Sequence, residues 1–215
     1  RALQYGLNPQ EKGSFTEQLT QLDRWIRPEN QSAEEDVRAT PLPPVPARGF
    51  LLGASTESAL LAASLDWHFV FAAHLNGDPE LLREVVTAWR QHSVREVIVA
   101  VQVIVAPTQA EADALAQKVE VWGVELVNGQ RVTVASEEQA YAFARQAGSD
   151  PVRIARRAQS LLAGTADSVL EQLNALHQLW GIDEFIIDTP VADGATRVQS
   201  LRLLAEARFN REVTV

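Results

Sequence analysis

Apolar positions along the chain alternate between helical and strand periods, and the alternation recurs. From Ser14 onward, Phe15, Leu19, Leu22 and Ile26 repeat at helical spacing, with Ser14 and Glu17 placed as a capping box and Pro28 as a stop. A short apolar run over 49–53 ends on Gly53 and leads into an Ala/Leu-rich helix from about 56 to 65. Trp67 to His74 reads as a buried strand, followed by a turn at Leu75-Asn76-Gly77-Asp78-Pro79 and a helix over about 79–92. The stretch 97–106 (VIVAVQVIVA) is nearly continuously apolar and β-branched, as in a parallel strand covered on both faces. A helix over 109–118 follows. This order of elements predicts an α/β fold built on a parallel sheet or barrel.

Residues 119–160 break the rhythm. Val124–Val127 and Arg131–Val134 flank Asn128-Gly129, which predicts a β-hairpin. Ser136-Glu137-Glu138-Gln139 reads as a capping box opening a short helix to about Gln146. The segment is expected to be an insertion, either a lid or a dimer contact. An apolar stretch, Leu161–Ala163, then meets Gly164-Thr165, a helix over 167–180 and Gly181. Glu184–Pro190 is the last predicted strand and a helix over about 194–207 closes the chain. Residues 1–13 read as loop. Residues 29–48 are polar and then proline-rich, a domain linker or a long loop within one domain, with four prolines in 41–46 that favour extended backbone.

Composition narrows the function classes. The 215 residues, 46% hydrophobic, suffice for one large domain or two small ones. A formal charge of −9 and a pI near 5.0 argue against nucleic acid or an anionic membrane as partner. The absence of cysteine excludes disulfides, thiolate catalysis and cysteine-ligated metal. No apolar run approaches the ~20 residues of a membrane span and no signal peptide is visible, so a soluble, cytoplasmic protein is expected. The chain begins at Arg1 and contains no methionine. It is expected to be part of a longer polypeptide, or a remnant that pairs with another chain.

Chemistry concentrates at strand ends. After Gly53 come Ala54, Ser55, Thr56 and Ser58, where unpaired N–H groups and the helix dipole favour an anion. Two readings stand: a phosphate seat, or an N-cap closing a βα turn. His74 lies where strand gives way to loop, which in a parallel barrel is the catalytic face. It either bonds a ligand or is a strand-end histidine bonded to backbone. Asp188 ends the last strand and either orients a cofactor or acts as base, or caps the next segment through Thr189. His68 falls at the opposite, structural end, while His92 and His177 sit in helices. No histidine pair has metal-ligand spacing, so no metal site is expected. Glu57 and Asp167 are first-turn acids of the kind helix dipoles explain. Arg153, Arg156 and Arg157 form a short basic group in the insertion, read as an inter-subunit ion pair in preference to a ligand site. Nothing matches a Ser-His-Asp triad, a Walker loop or a Gly-x-Gly-x-x-Gly turn.

Four segments together resemble the bacterial luciferase-like flavin monooxygenases, closest to the alkanal-monooxygenase-like branch. Leu51-Leu52-Gly53-Ala54-Ser55-x-x-Ser58-Ala59-x-x-Ala62-Ala63 is similar to that branch's LLGSS-x-x-SA-x-x-AA signature. Phe69–Leu75 is similar to its FAFAHHF strand, and Gly164–Val169 to its GTPE-x-V helix start with Ala166 replacing the proline. Asp183–Pro190 matches its DEFIIDTP strand end.

The resemblance implies a (β/α)8 TIM barrel binding reduced FMN at the carboxyl ends of its strands. It implies that this chain, as a single domain over 1–215, supplies about the last four βα units plus the insertion. The strands would be about 50–53, 68–74, 97–106 and 184–188, an arrangement with two open edges and an uncovered inner face. Gly53, Ala54, Ser55 and Ser58 would hold the FMN phosphate, and His74 and Asp188 would face the ring or substrate. The implied activity is oxygenation of a small organic substrate with O2, with a separate flavin reductase as possible partner and a homodimer as the assembly. The alternative is a non-catalytic flavin-binding or structural half-barrel relative that pairs with another chain.

Overall fold

A computed structural model describes residues 13–27, 40–41, 43–74, 78–157 and 160–212. The expected loop over 1–12, the polar part of the 29–48 connection and the Leu75–Gly77 turn lie outside the described residues. The elements are α1 (Phe15–Ile26), β1 (Phe50–Gly53), α2 (Thr56–Ser64), β2 (His68–Ala72), α3 (Pro79–His92), β3 (Ile98–Val105) and α4 (Gln109–Ala116). They continue as β4 (Trp122–Leu126), β5 (Arg131–Val134), α5 (Glu137–Ala147), β6 (Pro151–Arg156), β7 (Leu161–Gly164), α6 (Ala166–Trp180), β8 (Glu184–Asp188) and α7 (Gly194–Glu212). The expected α/β alternation is present.

Local chemistry sets the boundaries. Ser14 and Glu17 form the expected capping box on α1, and Thr108 and Glu111 form another on α4. On α5, Ser136 caps through the Gln139 N–H, but the Gln139 side chain reaches back to the N–H of Ala135, not of Ser136. The reciprocal half of the expected box is therefore missing. Gly148 and Gly181 close α5 and α6 in the left-handed region, at φ 61° and 60°.

β1, β2, β3, β7 and β8 form a parallel sheet. Here the structure corrects the expectation of four strands, because Leu161–Gly164 is a further strand. β3 has eight residues, a rise of about 26 Å, and is long enough to serve two short neighbours at different heights. Its amino-terminal half pairs with β8 (Ile98↔Glu184 to Gln102↔Asp188), its carboxyl-terminal half with β7 (Gln102↔Leu161 to Val105↔Gly164).

Alternation sorts the two faces of this sheet. Leu51, Phe69, Phe71 and the odd-numbered valines of β3 join one core with Ala59, Ala62, Val85, Trp89 and Val169 from the helices. The opposite face holds the smaller cluster Val70, Ile98 and Ala100, and it leaves Phe50, Leu52 and Ile186 about half exposed, at 50%, 52% and 46%.

The expected insertion has its own core. β4 pairs antiparallel with β5 through the Asn128-Gly129 turn, and also with β6. β6 was not expected: a bulge at Val152, opposite Glu125 and Leu126 of β4, and its exposed Pro-Val-Arg opening mask the strand period. Val124, Leu126, Ala140 and Ala144 bury the side facing α5. Among the described residues, no helix is long and apolar enough to cross a membrane.

Candidate functional site

The carboxyl end of β1 turns directly into α2. Ser55 is the N-cap, its Oγ accepting the Ser58 N–H at 3.2 Å and lying 3.3 Å from the Ser58 Oγ. The capping role is thus realised. A Cβ on Gly53 would stand 2.5 Å from the Ser58 Cβ, so only glycine lets strand and helix approach this closely. The same turn already attracts negative charge. The Glu57 backbone N–H, and then the Ser55 hydroxyl, hold the Glu57 carboxyl below its usual range.

The design recurs at β7. Thr165 caps α6 through the Ser168 N–H at 3.4 Å, and a Cβ on Gly164 would meet the Gln109 Oε1 at 2.9 Å and the Ser168 Oγ at 3.1 Å. Both βα turns therefore press a glycine against a serine at the third helical position.

β3 connects the other two candidates. His74 follows β2; its backbone N–H donates to the Ala100 carbonyl at 3.2 Å and its Nδ1 lies 3.4 Å from the same oxygen. This is the backbone-bonded histidine that was one of the two readings. Two residues further along β3, Gln102 donates through Nε2 to the Asp188 Oδ2 at 3.0 Å. Gln102 was missed from sequence, although a lone amide inside VIVAVQVIVA was a visible signal. Thr189, next in the chain, is 6% exposed, and its hydroxyl has no hydrogen-bond partner among the described residues.

His74 and Asp188 thus border one strand, at the same end of the sheet as Gly53 and Ser55. The phosphate-seat candidates lie apart from Asp188. β1 and β8 are three strand spacings apart, on the order of 14 Å.

The remaining histidines lie elsewhere. His68 begins β2 at the opposite end, stacked on Phe50 with centroids 4.4 Å apart, and burial first, then Arg95 and Arg48, lowers its pKa. His92 is exposed on α3, whereas His177 is half-buried and bonds Asp183 and the Ile182 carbonyl at the end of α6. Among the described residues no group of three or more His, Asp or Glu could hold a metal ion.

The chain matches the N-acetyl-S-alkylcysteine monooxygenase of Bacillus subtilis (strain 168) at 34% identity over 199 residues, covering 90% of this chain and 59% of that protein. Its fold matches apo-MsnO8 with a TM-score of 0.65 at 22% identity, covering 92% of this chain and 60% of that one. It also matches the monooxygenase RslO1 from Streptomyces bottropensis with a TM-score of 0.56 at 17% identity, covering 95% and 63%. The chain has a mixed α/β fold on a parallel sheet, and its structural neighbours are of the luciferase-like TIM-barrel type. No family model matches the chain. The chain spans about three fifths of the length of each of these relatives.

Within that fold, Gly53, Ser55, His74 and Asp188 sit at the carboxyl ends of parallel strands, the end at which barrel enzymes build their sites.

Proposed function

We propose that this chain is the carboxyl-terminal part of an FMN-dependent monooxygenase of the alkanal-monooxygenase-like branch, acting with O2 on a small organic substrate. The likeness to a monooxygenase over 199 residues carries this reading. The turn geometry supports the cofactor: Gly53 lets the strand end pack against Ser58, and Ser55 and Ser58 present hydroxyls beside first-turn N–H groups. In this reading the Ala54 backbone, Ser55 and Ser58 hold the FMN phosphate, displacing the Glu57 carboxylate from the helix terminus. His74 and Asp188 face the ring or substrate, with Gln102 orienting Asp188. Reduced flavin, when bound, supplies the oxygen activation, and the protein's part is to hold it in register and exclude water. The chain forms a single domain with 119–160 as an insertion. A homodimer in the cytoplasm, supplied by a separate flavin reductase, completes the reading.

Flavin titration of the full-length protein tests it. Expected are saturable quenching of FMN fluorescence, weaker binding in S55A/S58A by about tenfold or more, and tighter binding in E57Q. Absence of FMN and FMNH2 binding would sink the reading. A second reading, a non-catalytic half-barrel that pairs with another chain, draws support from the half-exposed Phe50, Leu52 and Ile186 on the inner face of the sheet. Flavin binding without flavin-dependent oxygen consumption would favour it.

A further inference from the structure

The insertion carries a second concave site, independent of the flavin reading. The face of the β5–β4–β6 sheet turned away from α5 lines a hollow of about 460 Å³. Cross-strand register fixes its layout. One row is Thr133, Gly123 and Ala155, a floor of small side chains; the next is Arg131, Glu125 and Arg153. Arg157 follows β6 two residues beyond Ala155 and folds across the floor, its Nε only 2.7 Å from where a Gly123 Cβ would stand.

The charges do not cancel. Glu125 is satisfied by Arg131 at 2.5 Å, whereas Arg153 and Arg157 have no carboxylate partner among the described residues. Four arginines line the hollow; Arg131 pairs with Glu125 and Arg156 with Glu120 at 3.7 Å, which leaves the two positive charges of Arg153 and Arg157 around a small-residue floor, in a chain whose formal charge is −9. Guanidinium forks are suited to the planar, bidentate recognition of phosphate oxygens. A protein partner fits less well. Three strands of about five residues offer on the order of 240 Å² of face, against the ~800 Å² per partner of a stable protein interface.

We propose that this hollow binds a small molecule bearing two linked phosphates, gripped between Arg153 and Arg157 over the Gly123–Ala155 floor. Arg131 is held to one side by Glu125 and lends long-range attraction. Gly123 is required because a side chain there would displace the Arg157 stem.

Calorimetric titration of the whole protein with sodium pyrophosphate at low salt tests the proposal. Saturable binding is expected in the wild type, weakened by about tenfold or more in R153Q/R157Q and weakened by added salt. R145Q removes an exposed arginine from α5, on the other side of the sheet, and should bind as the wild type does. T133E sets a carboxylate on the floor beside the arginines without replacing either and should also abolish binding, which keeps the test decisive if the double variant misfolds. Tighter binding of ADP than of pyrophosphate would make the ligand a nucleotide, and equal affinity a free polyphosphate. No binding by the wild type, undiminished binding in both R153Q/R157Q and T133E, or an equal loss in R145Q would overturn the proposal.

Discussion

Gln102 and Asp188 are Cα partners on adjacent parallel strands, and the amide of the first donates to the carboxylate of the second at 3.0 Å. β3 is otherwise apolar, so Gln102 is its single polar side chain. The bond fixes one Asp188 oxygen and leaves the other for a ligand. Replacing Gln102 with leucine should lower turnover by roughly fivefold to tenfold, the equivalent of about 1 kcal/mol for one lost hydrogen bond. Flavin affinity should change less than turnover, because the phosphate seat on β1 lies three strand spacings from β8. Steady-state kinetics beside a flavin titration would check both, and unchanged turnover would remove Gln102 from the site.

Gly53 and Gly164 occupy matching turns but differ in what a side chain would meet. At Gly53 the obstacle is the Ser58 Cβ at 2.5 Å, held by helix backbone. At Gly164 the nearest atom is the Oε1 of Gln109 at 2.9 Å, the far end of a flexible side chain. Gly53→Ala should therefore cost about 1–3 kcal/mol of stability, and Gly164→Ala less. Combining Gly53→Ala with Ser58→Gly should recover part of the loss in a denaturant melt. Equal costs at the two glycines would contradict the close-approach account.

Much of this architecture was legible in the sequence because the signals were local. The β-branched run of β3, the Ser14 and Thr108 caps and the Asn128-Gly129 turn each carry their own chemistry. β7 and β6 were less legible for the opposite reason. A four-residue strand such as β7 is defined by the neighbour it pairs with, and the bulge in β6 erases its alternation. The site divides the same way. Ser55 and Asp188 stood out by position, whereas the bond between Gln102 and Asp188 joins residues 86 apart and has no sequence signature. Nor could spacing show that Arg153 and Arg157 would face one hollow.

Asp23 anchors α1 to the sheet layer. Its Oδ1 accepts from the Trp67 indole at 2.6 Å and from the Arg27 Nε at 2.8 Å, and Arg27 in turn reaches the Leu65 carbonyl. Trp67 is only 5% exposed, so removing the acceptor strands a buried donor. Asp23→Ala should cost about 1–3 kcal/mol. Asp23→Asn should cost less, since its amide oxygen can still accept from Trp67 and only the partly exposed ion pair is lost. Chemical denaturation would rank the two, and an asparagine as damaging as the alanine would assign the stabilisation to the charge instead.

His68 gives the fold a pH dependence of definite sign. Burial against Phe50, and the neighbouring Arg95 and Arg48, disfavour its protonation; Glu184 and Asp66 oppose them without cancelling the effect. The folded-state pKa therefore lies below the usual 6.5. As pH falls through 6.5 the unfolded chain takes up a proton that the folded chain refuses, so stability declines. The decline continues until the lowered folded-state pKa is reached, and above 6.5 the contribution is fully present. Phenylalanine at this position preserves the stack on Phe50 and cannot titrate. His68→Phe should accordingly flatten stability against pH just below 6.5 while leaving the slope at lower pH, set by the carboxylates, unchanged. Denaturant midpoints across a pH series would show it; a slope as steep as the wild type's in that window would assign the dependence to another group.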